Sequence, residues 1–411
     1  MIPLSLDEIA ARAAGRLTRA PGAVEATGVQ VDSRRVTSGD LFVAVDAAGA
    51  GFVDDALARG GAAALVPDDG FAALATLGAA VRDRSPARVI GITGSAGKTS
   101  TKDILAAICA ARGPTVAAEA SFNNEIGVPL TLCRLEPETE VCVLELAMRG
   151  VGQIAELCSF ARPHVGVVTN VGPAHVELLG SLDAIVRAKS ELVESLPPGA
   201  TAIVPEGFPV VRDDLEVVRL AEPEARVVDG TALVRFGDRE IAFDFTARHQ
   251  VRNALAALYA ARAVGVEPQD EVEVAFSRWR GEEEPLPGGG LLINDAYNAN
   301  PLSMRASLEH LVEVAAGRRT VAVLGEMAEL GTASPRYHEE IGRDARRLGV
   351  DVVIGVGELA RGYEPTVWCN DAAAAVEVAG ELVRRGDCIL VKASRRAGLE
   401  TVAEALSAVH A

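Results

Sequence analysis

A glycine-rich loop between an apolar strand and a helix is the feature that most constrains how this chain folds. Residues 89–93 are mostly apolar and suit a buried strand, and Lys98 and Thr99 open the helical segment that follows. In such a loop the backbone N–H groups close on phosphate oxygens, and the dipole of the helix adds to the attraction. Lys98 would reach the β- and γ-phosphates, and the Thr99 hydroxyl would bind Mg²⁺. The predicted phosphate-binding residues are Gly94, Ser95, Ala96, Gly97, Lys98, Thr99 and Ser100.

This loop departs from the strict phosphate-loop pattern G-x-x-x-x-G-K-[ST]. Ile92 occupies the first glycine position, and Gly91 stands one residue earlier. The alternative is an ordinary turn between a strand and a helix that happens to contain Gly-Lys-Thr. The apolar strand before the loop and the helix after it favour a nucleoside triphosphate site.

Apolar strands alternate with helices on both sides of this loop, which predicts a mostly parallel sheet covered on both faces. The clearest strands are 89–93, 141–146 and 165–170, and the helices are 99–111, 152–160 and 182–196. The sequence therefore predicts an α/β fold whose central domain is a P-loop, parallel-sheet, ATPase-like domain.

The length of 411 residues favours two or three domains. A polar break near residue 85 and a stretch without periodicity at 281–290, interpreted as a linker or exposed loop, suggest the boundaries. A second alternation of strands and helices follows, with strands at 291–294, 320–324, 352–356 and 388–392. We predict three domains, 1–85, 86–286 and a Rossmann-like domain at 287–411.

The formal net charge of −17 argues against a nucleic-acid partner, because phosphate binding along a strand needs a basic face. The first residues lack the basic start and apolar run of a signal peptide, and no apolar stretch is long enough to cross a membrane. The six cysteines are scattered and are expected to be buried and reduced. We predict a cytoplasmic protein without membrane insertion.

Three further polar residues stand just after predicted strands or on the next helix, where a parallel sheet presents ligands at its C-terminal edge. They are Glu145, His175 and Lys189. Taken singly, each has an ordinary alternative: a solvated strand end, a hydrogen-bonded loop histidine and a helix-surface lysine. Their order after a phosphate loop favours a shared site.

At these positions the chain resembles the Mur ligase family. The matching stretches are 94–99, 122–129, 145–150, 174–177, 188–191, 248–256, 294–301 and 324–331. The resemblance covers nearly the whole chain in order. It implies an ATP-dependent ligase that joins a carboxylate to an amine in peptidoglycan synthesis through an acyl phosphate.

The resemblance also implies two Mg²⁺ ions. Thr99 and Glu145 would bind one, and His175 and Lys189 the other, with Lys189 carbamylated by CO₂. A carbamate turns a cationic side chain into a hard oxygen ligand, which suits Mg²⁺.

The same resemblance implies nucleotide contacts from two domains. Asn253 would hydrogen-bond the adenine, and Asp295 and Tyr297 would meet the ribose and base. Arg280, with Lys98, would spread the charge of the transferred phosphoryl group. The catalytic residues implied are Lys98, Lys189, His175 and Arg280.

The substrates implied are UDP-N-acetylmuramoyl-tripeptide and D-alanyl-D-alanine, bound by a monomer. Ser33 and Arg34 would contact the nucleotide-sugar, Asn123 and Asn124 would border the acyl acceptor, and Arg395 would lie near the dipeptide. Two alternatives stay open. One is a Mur-like ligase for a different carboxylate and amine. The other is a P-loop NTPase used as a switch, which would not need Lys189 or Asp295.

Overall fold

The computed structural model describes residues 1–173 and 176–410, and it has the α/β fold that the sequence predicts. Its strands form a small N-terminal sheet, a six-stranded central sheet and a six-stranded C-terminal sheet, with two smaller sheets beside them. No helix within the described residues is long and apolar enough to cross a membrane.

The N-terminal region is built from short strands and one long helix. A four-stranded sheet of order β2-β6-β5-β4 forms its centre. The elements are β1 (Leu4–Ser5), α1 (Leu6–Arg12), β2 (Gly15–Arg19), β3 (Glu25–Ala26), β4 (Gly28–Gln30), β5 (Asp40–Val43), α2 (Val53–Ala58), β6 (Ala63–Pro67) and α3 (Gly70–Arg84).

The central region carries the parallel sheet that the strand pattern predicts. The elements are β7 (Arg88–Thr93), α4 (Lys98–Ala110), β8 (Thr115–Ala117), α5 (Gly127–Leu132), β9 (Val141–Glu145), α6 (Gln153–Ala161), β10 (Val165–Val168), α7 (Val176–Leu179), α8 (Leu182–Glu194), β11 (Thr201–Pro205), β12 (Glu216–Leu220), β13 (Ala225–Val228), β14 (Thr231–Phe236), β15 (Arg239–Phe243), α9 (Arg248–Ala263) and β16 (Glu271–Val272). The six-stranded order is β12-β11-β10-β7-β9-β8, with every neighbouring pair parallel. Strand β7 therefore delivers the glycine-rich loop to the C-terminal edge, between the ends of β9 and β10.

The C-terminal region holds the second large sheet, of order β17-β18-β22-β19-β20-β21. Only the β17–β18 pair is antiparallel. The elements are β17 (Glu282–Leu286), β18 (Gly290–Asp295), α10 (Pro301–Ala315), β19 (Thr320–Gly325), α11 (Ser334–Leu348), β20 (Val352–Val356), β21 (Val367–Cys369), α12 (Ala372–Leu382), β22 (Cys388–Lys392) and α13 (Glu400–His410).

The interpretation of residues 281–290 as a linker or loop is wrong. Residues 282–286 form the edge strand β17, which turns back onto β18 through Gly288 and Gly289, both at positive φ. Three glutamates and Pro285 hide the strand in the sequence, yet charges and proline are typical of sheet edges because they discourage further pairing. The segment therefore belongs to the C-terminal sheet.

The hydrophobic core joins the N-terminal region to the central sheet. Helix α3 contributes Leu74 and Leu77 to a cluster that also contains Leu65 from the first sheet and Leu144 from the second. Helices α4 and α9 cover the opposite face of the central sheet. The described cysteines all lie buried and free, as expected, and burial raises the pKa of Cys109 to about 12.

A partly buried histidine makes the fold sensitive to acid. His164 Nδ1 accepts the Val89 N–H at 2.9 Å, and burial lowers the pKa of His164 to about 4, an effect to which Arg82 and Arg88 add. The unfolded chain protonates this residue near pH 6.5, whereas the folded chain does so only near pH 4. The stability contributed by neutral His164 is therefore present at pH 7 and is lost as the pH falls from about 6.5 to about 4.

We expect His164→Asn to reduce this acid sensitivity, because an amide oxygen retains an acceptor for Val89 but does not titrate. Between pH 7 and pH 5 the wild type should lose about 2 kcal/mol more unfolding free energy than the variant. Urea titrations followed by circular dichroism at both pH values measure the difference. Equal losses in the two proteins would contradict the assignment.

Candidate active site

A cleft of about 1210 Å³ opens at the C-terminal edge of the central sheet and is closed on its far side by the C-terminal region. Most of the residues predicted for the site line it: Ser95, Ala96, Gly97, Lys98, Thr99, Ser100, Asn123, Asn124, Glu145, Asn253, Arg280, Asp295, Tyr297 and Arg395. Gly94, Ser33, Arg34 and Lys189 are not among its lining residues. His175 lies outside the described residues, so its predicted role remains a prediction.

The glycine-rich loop needs its two glycines for steric reasons. Gly97 has φ +77°, and a Cβ there would lie 2.4 Å from Asn253 Oδ1. A Cβ at Gly94 would lie 1.9 Å from Thr169 Oγ1. Any larger residue would push the loop away from the segments behind it. Lys98 is the first residue of α4, and its Nζ donates back across the loop to Gly94 O at 2.9 Å.

The segment that follows β10 fixes the loop from behind. Asn170 Oδ1 accepts the Ala96 N–H at 2.9 Å, and Thr169 Oγ1 donates to Ala96 O at 2.6 Å. Ser95 Oγ donates to Gly172 O at 2.9 Å. These bonds fix the peptide groups of the loop, and such preorganisation favours phosphate binding.

Strand register brings Glu145 to the loop. Glu145 pairs with Ile92 across β9 and β7, so its side chain ends beside the first turn of α4. The carboxylate is almost fully buried and accepts from Thr99 Oγ1 at 2.8 Å and from Asn123 Nδ2 at 2.7 Å. A hydroxyl and a carboxylate oxygen this close together fit the oxygen ligands that Mg²⁺ prefers.

Lys189 lies on α8 with its side chain buried, which is unusual for lysine. Burial lowers its pKa well below 10.5, and the nearby charge of Lys98 adds to this. The neutral amine is favoured as a result, and an amine is the form that reacts with CO₂. The environment of Lys189 therefore fits a carbamate, and the helix-surface alternative is wrong.

Positively charged side chains converge on the site. Burial lowers the pKa of Lys98 below 10.5; the carboxylate of Glu145 opposes the shift and Arg280 adds to it. The guanidinium of Arg280 lies 3.9 Å above the Tyr297 ring, and its buried Nε has no hydrogen-bond partner among the residues that the structure describes. An anionic ligand between these groups would relieve the repulsion and satisfy the free donor.

In the C-terminal region a buried lysine, Lys392, holds the carboxylate of Asp295. Lys392 Nζ donates to Asp295 Oδ2 at 2.5 Å, and Ser307 Oγ donates to the same oxygen at 2.7 Å. The Tyr297 hydroxyl bonds to Ser121 Oγ of the central region. These contacts place Asp295 and Tyr297 opposite the phosphate loop.

Asn253 is oriented by Gln250, three residues earlier on α9. Gln250 Oε1 accepts from Asn253 Nδ2 at 2.9 Å, and Gln250 Nε2 donates to Ser100 Oγ at 3.3 Å. This chain of bonds links α9 to α4. Gln250, Lys392 and Ser121 were missed as site residues because only the folded chain brings their partners to them.

The contacts of the residues predicted to bind the nucleotide-sugar, the acyl acceptor and the dipeptide do not by themselves indicate a binding site. Ser33 and Arg34 form a 3₁₀ turn capped by Asp32, and the Arg34 guanidinium pairs with Asp32 at 2.7 Å. Asn124 Oδ1 accepts the Gly127 N–H at 3.0 Å and so also shapes the start of α5. Arg395 lies 4.3 Å from the Trp279 ring and pairs with Glu400.

Comparison with protein families identifies the fold. The family model for the Mur ligase middle domain matches residues 92–261 of the sequence. The family model for the Mur ligase glutamate ligase domain matches residues 280–395. The chain belongs to the Mur ligase family. The two matches place the phosphate loop and Glu145 in the first Mur ligase unit, and Asp295 and Arg395 in the second.

Individual Mur ligases match over most of their length. UDP-N-acetylmuramoyl-tripeptide–D-alanyl-D-alanine ligase of Mycobacterium bovis is 36% identical, over 92% of this chain and 92% of the relative. A crystal structure of MurF from Acinetobacter baumannii superposes with a TM-score of 0.85 at 29% identity, covering 98% of each chain. MurF ligase from Thermotoga maritima, solved in complex with ADP, gives a TM-score of 0.82 at 26% identity and covers 93% of this chain and 97% of that one.

Proposed function

We propose that this Mur ligase joins the free carboxylate of UDP-N-acetylmuramoyl-tripeptide to the amine of D-alanyl-D-alanine at the expense of ATP, in peptidoglycan synthesis. The observation that carries the proposal is the cleft in which the phosphate loop faces Arg280, just before β17, and Asp295 of the C-terminal region. The substrates are those in the name of the M. bovis relative, which matches this chain along nearly its whole length.

In the first step the carboxylate attacks the γ-phosphorus of ATP, an acyl phosphate forms and ADP leaves. Phosphoryl transfer depends mainly on positioning and on neutralising the charge of the transferred group. Lys98 and Arg280 are the cations available on the two sides of the cleft. The phosphates would raise the lowered pKa of Lys98 and keep it charged.

Magnesium would supply further charge neutralisation when bound. Thr99 and Glu145 would hold one ion, since their oxygens already lie 2.8 Å apart. His175 and carbamylated Lys189 would hold a second. In this proposal Asn253, Asp295 and Tyr297 bind the nucleoside.

In the second step the amine of the dipeptide attacks the acyl carbon, and phosphate leaves from the tetrahedral intermediate. Water competes with the amine for an acyl phosphate, so the cleft has to exclude it during the reaction. The contact between Tyr297 and Ser121 closes one side of the cleft.

The remaining parts of the proposal concern substrates and organisation. Ser33 and Arg34 would contact the nucleotide-sugar, Asn123 and Asn124 would border the acyl acceptor, and Arg395 would meet the dipeptide. We place the domains at 1–85, 86–286 and 287–411, although strand β17 pairs into the last sheet. We further propose a monomer that works in the cytoplasm, with the six free buried cysteines supporting a reducing compartment.

Phosphate release by the purified protein tests this function. MgATP is supplied with UDP-N-acetylmuramoyl-tripeptide and D-alanyl-D-alanine together, and then with each left out. We expect release only with both, together with a pentapeptide product by mass spectrometry. Release with neither would indicate an NTPase switch, and no release with both would indicate another carboxylate or amine.

A further inference from the structure

One side chain of the C-terminal region bonds directly to the phosphate loop. Asn300 is buried at the N-cap of α10, where its Oδ1 accepts the Ser303 N–H at 2.9 Å. Its other side-chain atom, Nδ2, donates to the Ser95 carbonyl at 3.1 Å. A single amide thus caps a helix in one region and bonds the loop of another.

The Ser95 carbonyl is well placed to receive this bond. The Ser95 N–H donates to Asn170 O at 3.1 Å, and Ser95 Oγ both donates to Gly172 O and accepts the Gly172 N–H, at 2.9 and 3.0 Å. The central region thus engages the amide and the hydroxyl of Ser95, and the C-terminal region engages its carbonyl. Both regions hold the same residue of the loop.

Other contacts join the two regions beside this bond. A Cβ at Gly172 would lie 2.2 Å from Leu302 Cδ1, two residues beyond Asn300. Nearby, the Glu177 N–H donates to Glu329 O at 3.2 Å. Asn300 therefore lies within a contact between the C-terminal region and the central one.

We propose that Asn300 is a positioning residue that ties the phosphate loop to the closed C-terminal region during amide formation. The proposal rests on the ligase function given above. When the tie is lost, the cleft opens more often while the acyl phosphate is present. Water then adds to the acyl carbon and phosphate leaves, which returns the carboxylate and uses ATP without forming an amide.

Two substitutions separate this role from helix capping. Asn300→Ser and Asn300→Asp both keep an oxygen that caps α10, since serine and aspartate are good N-cap residues. The serine side chain is one atom shorter than the amide and does not reach the Ser95 carbonyl while it caps α10. An aspartate carboxylate has no proton to donate and would repel that carbonyl. A matched control is Asp371→Ser, which exchanges the N-cap of α12 in the same region, where Asp371 accepts the Ala374 N–H.

We expect Asn300→Ser to lower kcat about 3- to 10-fold, the range of one neutral hydrogen bond, and Asn300→Asp to lower it further. Both should release more than one phosphate per amide formed, while wild type and Asp371→Ser stay at one. Thermal unfolding midpoints of both Asn300 variants should stay close to that of Asp371→Ser. A kcat and a phosphate-to-amide ratio equal to those of wild type, or losses that only follow a lowered midpoint, would overturn the proposal.

Small-angle X-ray scattering with MgADP tests the same inference without the acceptor or the dipeptide. We expect wild type and Asp371→Ser to become more compact on binding MgADP, and Asn300→Ser to do so at higher nucleotide concentration or less completely. If the wild type makes no amide, the proposed function is wrong. The scattering experiment still tests whether Asn300 holds the two regions together. Identical scattering curves in all three proteins would overturn it.

Discussion

Lys98→Ala is expected to lower kcat about 10²- to 10³-fold, which is the usual loss when one preorganised group facing the developing charge is removed. Lys98 begins α4 inside the phosphate loop, and its partly buried ammonium donates to Gly94 O. Steady-state phosphate release with all three substrates measures the loss.

Arg248→Ala is the matched control for this change. Arg248 also lies in the first turn of a helix near the cleft, but its side chain is 85% exposed and makes a surface ion pair with Glu313 at 3.0 Å. Such pairs contribute little. A rate near that of wild type is expected for Arg248→Ala. A rate near wild type for Lys98→Ala would remove the phosphate loop from the mechanism.

Lys189→Met is expected to lower kcat by at least about 10²-fold, because it removes the amine that would carry the carbamate and with it a metal ligand. Methionine fills the same buried space, so a loss of packing does not explain a loss of rate. Wild-type activity should also fall in buffer freed of CO₂ and recover when bicarbonate is added. Full amide-forming activity of the variant would contradict the role given to Lys189, whereas phosphate release without amide formation would favour the NTPase switch.

The same substitution should raise stability while it lowers activity. The folded protein holds the pKa of Lys189 well below 10.5, chiefly through burial, so between that lowered pKa and pH 10.5 the unfolded chain binds more protons than the folded one. The buried amine therefore costs stability at neutral pH, and this cost shrinks as the pH rises toward 10.5. Urea unfolding of CO₂-free protein at pH 7 and pH 9 measures this effect. Relative to wild type, the unfolding free energy of Lys189→Met should be raised more at pH 7 than at pH 9. An equal gain at both pH values would mean that the lysine is charged in the folded state.

The sequence predicts the centre of the site because local pattern and topology determine it. The strand before the loop and the helix after it define where Lys98 and Thr99 lie. The position of Glu145 near this loop then follows from the parallel sheet, because the carboxyl ends of neighbouring parallel strands lie at one edge. In the structure the two segments meet, and Thr99 Oγ1 donates to Glu145 Oε2 at 2.8 Å.

Other parts depend on contacts that no local pattern encodes. The bond from Asn300 to Ser95 spans 205 residues, and the bond from Gln250 to Ser100 spans 150. The edge strand β17 was missed because its charges and proline resemble those of a loop, and only pairing with β18 identifies it. Substrate selection by Ser33 and Arg34 remains a prediction for the same reason, since their partners would come from the ligand.

Oxygen transfer tests the central claim, an acyl phosphate formed in this cleft, most directly. UDP-N-acetylmuramoyl-tripeptide labelled with ¹⁸O in its free carboxylate is incubated with the protein, MgATP and D-alanyl-D-alanine in unlabelled water, and the released phosphate is examined by mass spectrometry. Attack of the carboxylate on the γ-phosphorus predicts one ¹⁸O in each phosphate, with the other retained in the new amide. Phosphate without ¹⁸O, with its fourth oxygen taken from the solvent, would contradict the account.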